Sequence, residues 1–140
     1  MSLDYLHLIP GQSPPTVEAR PHRAMLVLEN KVDPAWHGLI SNWLVASGCF
    51  YMMAWGEECS LWDDSVDWAA LDACDFGDVP DDEFIMTTWH QETLAEAFWF
   101  AGHAAHHPTV PLPDLRIIHI AEQPRRDELL AAYAEAQALD

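Results

Sequence analysis

The chain has 140 residues, half of them hydrophobic, and six basic against 23 acidic residues give a formal net charge of −17 with histidine neutral. This length and composition predict one domain with a sizeable core rather than a disordered chain. The negative field repels nucleic acids and anionic membrane surfaces. We therefore expect neither class of partner.

The cysteines and the hydropathy pattern indicate where the protein works. Cys49, Cys59 and Cys74 are odd in number and lack a C-x-x-C spacing, which is typical of a reducing compartment without disulfides. The N-terminus lacks a basic segment followed by an apolar run, and the longest mostly apolar stretch, residues 43–56, is too short to span a bilayer. We expect a cytoplasmic protein.

The first 22 residues read as an extended N-terminal arm, and residues 23–140 read as a single α/β domain. Pro10, Pro14, Pro15 and Pro21 block helix and central strand in this segment. The apolar residues before the first proline are expected to pin the arm to the body, and an edge strand is one way to do so.

Four strand–helix units are expected after the arm. Residues 24–28 predict a buried strand, Asp33-Pro34 starts a helix that runs to about Ser47, and residues 49–55 predict a second strand. A short helix capped by Asp63 or Asp64 is expected next. Its apolar face is predicted to hold Val66, Ala69, Ala70 and Ala73.

Residues 83–89 predict a third strand. Thr93 and Glu96 form a capping box for the clearest helix of the chain. Residues 115–121 predict the fourth strand, and Pro124 opens a final helix with Leu130, Tyr133 and Ala134 on its core face.

This alternation of strands and helices predicts a three-layer α/β/α sandwich with a mainly parallel four-stranded sheet, of the flavodoxin or Rossmann type. Four strands make a small sheet. The N-terminal arm or a second subunit could complete it.

Ligands of open parallel sheets bind beyond the carboxyl ends of the strands. Polar and aromatic residues that follow the predicted strands are therefore candidates. They are Glu29, Trp55, Glu57, Asp63, Asp64, Trp89, His90, Glu92 and Glu122. The tryptophans would stack on a planar ligand, and a histidine would transfer a proton. The plainer interpretation is that these groups cap helices and stay solvated.

His90 precedes a predicted helix N-terminus, whose positive end favours a neutral imidazole that can act as a base. Cys59 is a weaker candidate, as a nucleophile activated by His90. Glu92 or Glu57 would be the carboxylate of such a site. The alternative for His90 is an exposed residue at a strand end.

Metal binding is considered at two places and predicted at neither. The acidic loop around Asp63 and Asp64 fits no calcium-loop template. His103, His106 and His107 precede Pro108, where histidines are expected to cap a helix end, although His103 and His107 would share one helix face.

The six glycines form no G-x-G, and no G-K-[ST] occurs, so neither a dinucleotide fingerprint nor a phosphate loop is present. No cofactor is predicted. One short stretch, Trp89-His90-Gln91-Glu92, resembles the W-x-x-E segment of TIR domains, which share a parallel flavodoxin-like sheet. Some TIR domains cleave NAD with a glutamate, and the resemblance makes Glu92 the catalytic candidate.

Three functions are compatible with these features. The first is a protein-recognition module of the inhibitor, immunity or nucleic-acid-mimic type, whose acidic, tryptophan-rich surface meets a basic protein. The second is a small enzyme acting on a nucleoside-like or other planar substrate at the strand ends. The third is a homodimer, because Trp62, Trp68 and Trp99 fall outside the predicted core faces, although burial in the core is their default explanation.

Overall fold

A computed structural model describes residues 2–80 and 84–139. The strands in this part of the chain are β1 (Leu3–Leu8), β2 (His22–Leu28), β3 (Cys49–Gly56), β4 (Met86–His90) and β5 (Leu115–Ile120). The helices are α1 (Pro34–Ala46), α2 (Cys59–Ala73), α3 (Leu94–His103) and α4 (Arg126–Gln137). All strand pairs are parallel, in the order β1-β5-β2-β3-β4, so the predicted α/β sandwich is confirmed.

The sheet has one strand more than the predicted four. Strand β1 comes from the segment expected to be an arm, and it pairs with β5 from Leu3 opposite Leu115 to Leu8 opposite Ile120. The prolines begin only at Pro10, so the residues before it are free to join the ladder. Residues 9–21 contain no helix or strand.

Two helix starts follow the sequence signals. Asp33 caps α1 by accepting from the Ala35 N–H over 3.0 Å, and Thr93 caps α3 by accepting from the Glu96 N–H over 3.2 Å. In each case the cap side chain satisfies a backbone N–H that has no partner inside the helix.

The start of α2 was predicted wrongly. The helix begins at Cys59, directly after Glu58 in a left-handed conformation with φ 57°, so Asp63 and Asp64 lie inside it and cap nothing. A backbone turn starts this helix instead of a side chain. Such a turn leaves no capping signal in the sequence.

Two smaller expectations also changed. Strand β4 begins at Met86, later than predicted, and Glu83, at the predicted start, lies outside the described residues. The core face of α4 holds Leu129, Tyr133 and Ala136, whereas the predicted Leu130 is partly buried and Ala134 is exposed.

The sheet separates two cores. Helices α1 and α2 cover one face, where Leu26 and Ile118 pack with Trp36 and Trp62. Helices α3 and α4 cover the other, where Val27 packs among their apolar side chains. Within residues 2–80 and 84–139, no helix combines the length and the apolar character that crossing a membrane requires.

Candidate functional site

The chain leaves the sheet in opposite directions at the carboxyl ends of β2 and β5. Strand β2 leads to α1 on one face, whereas its neighbour β5 leads to α4 on the other face. Diverging loops leave a crevice between them, and open parallel sheets bind ligands at such a point. The sequence predicts a site at the carboxyl ends of the strands, and choosing this strand pair requires the strand order.

Four side chains form a connected network in this crevice. His119 is buried and contacts Glu29 through Nε2, while its Nδ1 lies 2.6 Å from Tyr5 Oη. Arg125 donates from Nη2 to Glu29 Oε1 over 2.6 Å and from its backbone N–H to Tyr5 Oη over 2.9 Å. The network ties β1, β2 and β5 to the start of α4.

The protonation states in this network follow from burial and contact. Burial lowers the pKa of His119, although the Glu29 carboxylate opposes this. Partial burial alone would raise the pKa of Glu29, but hydrogen bonds from His119 and Arg125 lower it overall. A neutral His119 therefore donates from Nε2 to Glu29 and accepts from the Tyr5 hydroxyl.

Sequence reasoning selected Glu29 and missed the rest of the network. His119 lies in β5, whose sequence is mostly apolar. Residues two positions apart share one face of a strand, so the sequence signal for a buried His119 is that it lies on the same face as Ile117. Tyr5 could be placed only by recognising β1 as a strand. Each of these side chains already binds another member of the network, so few of their donors and acceptors remain for a ligand.

A shallow cleft of about 420 Å³ lies above β2 and β3. Glu29, Trp55, Glu57, Glu58 and Arg125 line it, so three predicted site residues meet there. The indole of Trp55 is fixed because its Nε1–H donates to the backbone oxygen of Glu92 over 2.7 Å. Three carboxylates beside one guanidinium make this cleft unfavourable for an anion.

A second cleft of about 370 Å³ lies between the ends of β3 and β4. Trp55, Cys59, His90 and Glu92 contribute to it, whereas Glu57 lines the first cleft. The three predicted catalytic residues therefore do not share one cleft.

Both ring nitrogens of His90 are engaged. Nδ1 lies 2.9 Å from Glu92 Oε2 and Nε2 lies 2.8 Å from Thr88 Oγ1, and only 7% of the residue is exposed. The Cys59 thiol donates to the backbone oxygen of His90, not to its imidazole, over 3.6 Å. This arrangement holds His90 in place and does not activate Cys59.

The remaining candidates lie apart from both clefts. Trp89 is 46% exposed on edge strand β4, and Glu122 is exposed after β5. Asp63 accepts from Thr87 Oγ1 over 3.3 Å; partial burial and the nearby Asp67 carboxylate raise the pKa of Asp63 to about 6. Asp64 is exposed on α2.

The histidines near the end of α3 bind backbone oxygens. Helix α3 ends at His103, so the predicted spacing of His103 and His107 on one helix face is not formed. His106 Nε2 lies 3.1 Å from His103 O, and His107 Nε2 lies 2.9 Å from Phe84 O. Across the described ranges, no three histidine, cysteine or acidic side chains are placed to hold a metal ion.

A third concavity, larger than both clefts, lies on the outer surface of α1 and α2. This groove, here the α1–α2 groove, has a volume of about 730 Å³. Its apolar side includes Leu61, Trp68 and Ala69, and its acidic rim consists of Glu58, Asp64 and Asp72. Trp68 is 65% exposed and Leu61 is 50% exposed.

A second exposed aromatic ring lies next to the groove. Phe76 follows α2 in a left-handed conformation with φ 58°, and its ring centroid is 5.2 Å from that of Trp68. A bulky residue rarely adopts this conformation, which costs free energy. The N–H of Phe76 donates to Leu71 O over 2.8 Å and so fixes the turn that holds the two rings together.

The three tryptophans considered for an interface have different environments. Trp62 is buried beneath the groove, with its ring centroid 4.3 Å from that of His37, so the default explanation of core burial applies to it. Trp99 is 36% exposed on α3, on the opposite side of the sheet, where it stacks on His103. Trp68 is the member of this set that lines the groove.

Comparison with known proteins identifies the family. Residues 3–136 match the family model described as Domain of unknown function (DUF7684). No curated protein and no solved structure matches the chain. The match extends from the first residue of β1 into α4, so β1 lies within the family's domain. Because the model covers nearly the whole chain, this protein belongs to the DUF7684 family.

Proposed function

We propose that this protein is a recognition module that binds a basic, amphipathic segment of a partner protein in the α1–α2 groove. The observation that carries the proposal is the groove itself, in which exposed apolar side chains lie beside an acidic rim. An inhibitor, an immunity protein or a nucleic-acid mimic would use such a surface against a basic target.

Exposed apolar side chains support this proposal: Trp68 and Leu61 line the groove, and Phe76 lies next to it against Trp68. Large exposed apolar side chains that lie together are uncommon on a monomer and often mark binding surfaces. Tryptophan is among the residues that contribute most to binding energy at interfaces. A partner helix could place its apolar face against these side chains, as in other helix-in-groove complexes.

The negative charge of the groove's rim favours a basic partner. Glu58, Asp64 and Asp72 border the apolar side, and the described lining of the groove includes neither lysine nor arginine. The net charge of −17 would attract a basic protein over a long range and increase its association rate. A lysine-rich or arginine-rich segment would therefore be preferred over an acidic one.

Differential capture tests this proposal. Immobilised wild type, Trp68→Ala and Trp99→Ala proteins are incubated with lysate of the organism that encodes the chain. We expect a basic protein to be retained by wild type and by Trp99→Ala, lost with Trp68→Ala, and released by high salt. The proposal is wrong if no retained protein distinguishes Trp68→Ala from Trp99→Ala.

A second candidate function is an enzyme acting on a nucleoside-like or planar substrate, supported by the pairing of His90 with Glu92 beside Trp55. The resemblance of this segment to TIR domains nominates NAD as the first substrate to assay. Cleavage of NAD by wild type but not by Glu92→Gln would support this function. Equal inactivity of the two proteins would contradict the NAD version.

A further inference from the structure

Arg116 is a buried arginine with an unpaired nitrogen. It is the second residue of β5, with Asp4 of β1 and Ala24 of β2 on either side. Only 9% of the residue is exposed, and Nη1 is buried without a hydrogen-bond partner. Within the described residues, its guanidinium forms no ion pair, unlike that of Arg125, which lies between two glutamates.

The nearby carboxylates bind other groups. Asp4 pairs with Arg20 at 3.2 Å. Asp114 accepts from the backbone N–H of Ser2 over 3.2 Å and from its hydroxyl over 2.7 Å. His22, which is close enough for the Arg116 charge to influence it, also has a buried nitrogen, Nε2, without a partner. Because Nδ1 of His22 donates to the backbone oxygen of Arg20 and burial lowers the pKa of His22, its Nε2 is the accepting nitrogen of a neutral ring. The Arg116 guanidinium is therefore a buried donor that these neighbours leave unpaired.

A cavity of about 280 Å³ opens next to Arg116, along the outer edge of β1. Val17, Tyr5 and Arg126 contribute to its wall. The bonds Leu115 N–Ser2 O and Ala121 N–Leu8 O place the even-numbered residues of β1 in the ladder with β5. The odd-numbered residues of β1 therefore direct both their N–H and their C=O groups to the free edge of the sheet.

The basic residues of the chain are concentrated at this edge. Arg20, Arg116 and Arg126 are three of only six lysines and arginines in the whole sequence. Among residues 2–80 and 84–139, the carboxylate that Arg126 contacts is the exposed Asp127, at 3.4 Å, which holds it weakly. Arg116 and Arg126 thus line the same small cavity in a strongly acidic protein, and Asp4, which also lines it, is paired with Arg20.

We propose that this cavity binds the carboxylate or phosphate group of a small molecule, with Arg116 as the main ligand and Arg126 as the second. A buried charge without a partner destabilises the folded state, and a bound oxyanion would supply the partner. The planar fork of a guanidinium matches the geometry of both oxyanions. This site lies on the opposite edge of the sheet from β4 and does not depend on the α1–α2 groove.

Thermal unfolding in sodium phosphate and in sodium acetate, each compared with sodium chloride at equal ionic strength, tests the proposal. We expect one or both anions to raise the Tm of wild type in a saturable manner. Arg116→Met should lose this response, with affinity reduced by at least about tenfold. The stronger of the two anions identifies the class of ligand.

Lys31→Met is the matched control, because it also removes one positive charge but at an exposed position outside the cavity. It should keep the full response. The Nε–H resonance of Arg116 in wild-type protein gives a second readout, which is independent of how well the variants fold. We expect this resonance to shift with phosphate or acetate. Its failure to shift with both anions, or an unchanged response in Arg116→Met, would overturn the proposal.

Discussion

The ionised form of the Asp63 side chain destabilises the folded protein. Thr87 donates a hydrogen bond towards both Asp63 and Asp67, so two carboxylates approach one hydroxyl. Partial burial together with this repulsion raises the pKa of Asp63 to about 6. The folded protein therefore holds the Asp63 proton more tightly than the unfolded chain does, and it loses stability as pH rises towards about 6.

Asp63→Asn is expected to stabilise the protein at pH above about 6, because it removes an ionised group that the fold disfavours. The unscreened shift corresponds to about 3 kcal/mol, and partial exposure reduces the expected gain to about 1 kcal/mol. Urea unfolding of the variant and wild type at each pH measures this gain. We expect the gain to vanish near the ordinary aspartate pKa, about 4.

Asp64→Asn is the control for this prediction, since it removes the same charge from an exposed position on α2. Its effect should be smaller and should vary less with pH. Burial lowers the pKa of His22, His37 and His119, so wild type also loses stability as pH falls below about 6.5. Comparing variant and wild type at the same pH cancels that contribution. A gain equal for both variants would contradict the assignment to Asp63.

At the scale of elements, β1 is an integral strand of the sheet. Leu8 is 3% exposed in the core, and Tyr5 closes the network around His119. Deletion of residues 1–9 should therefore cost on the order of 3 kcal/mol or more, by uncovering β5 and removing buried apolar area. Urea unfolding measures the loss. A dispensable arm would instead leave the free energy of unfolding almost unchanged.

The Tyr5→Phe variant measures the contribution of the Tyr5 hydroxyl to stability separately from that of strand β1. It keeps the ring and β1 but leaves the backbone N–H of Arg125 and the Nδ1 of His119 without their partner. We expect a loss of about 1–3 kcal/mol, smaller than that of the deletion. A loss as large as that of the deletion would mean that the hydroxyl, not the strand, dominates the stability contributed by this segment.

The elements found from the sequence are those whose signals are local. The cap residues Asp33 and Thr93 mark helix starts through contacts within three positions. Strand β1 was predicted only as one alternative for the arm, because its partner β5 lies more than a hundred residues away and the adjacent prolines indicate an extended segment. The start of α2 was missed because a left-handed Glu58, which carries no characteristic side-chain pattern, replaces a cap.

The candidate site was predictable to a similar degree. The strand-end rule selected Glu29, which the structure places at the divergence of β2 and β5. The α1–α2 groove was not predicted, because helix packing decides which side chains remain exposed. Trp62 and Trp68 are about 1.7 turns apart on the same helix, and the first is buried while the second is 65% exposed.

At the scale of the whole molecule, the two proposed binding regions have different lining residues and lie apart from each other. The α1–α2 groove combines apolar side chains with acidic ones, whereas the edge at β1 gathers Arg20, Arg116 and Arg126. The two regions predict ligands of opposite charge. A protein with this division could bind a basic partner through one surface and a small anion through the other, without competition between them.

The most direct test of the recognition function is NMR mapping of a lysine-rich amphipathic helical peptide onto ¹⁵N-labelled protein. The account predicts salt-sensitive shift changes concentrated in α1 and α2, around Leu61, Trp68 and Asp72, and their loss in Trp68→Ala but not in Trp99→Ala. Shift changes confined to the strand ends, scattered over the acidic surface, or retained in Trp68→Ala would contradict it.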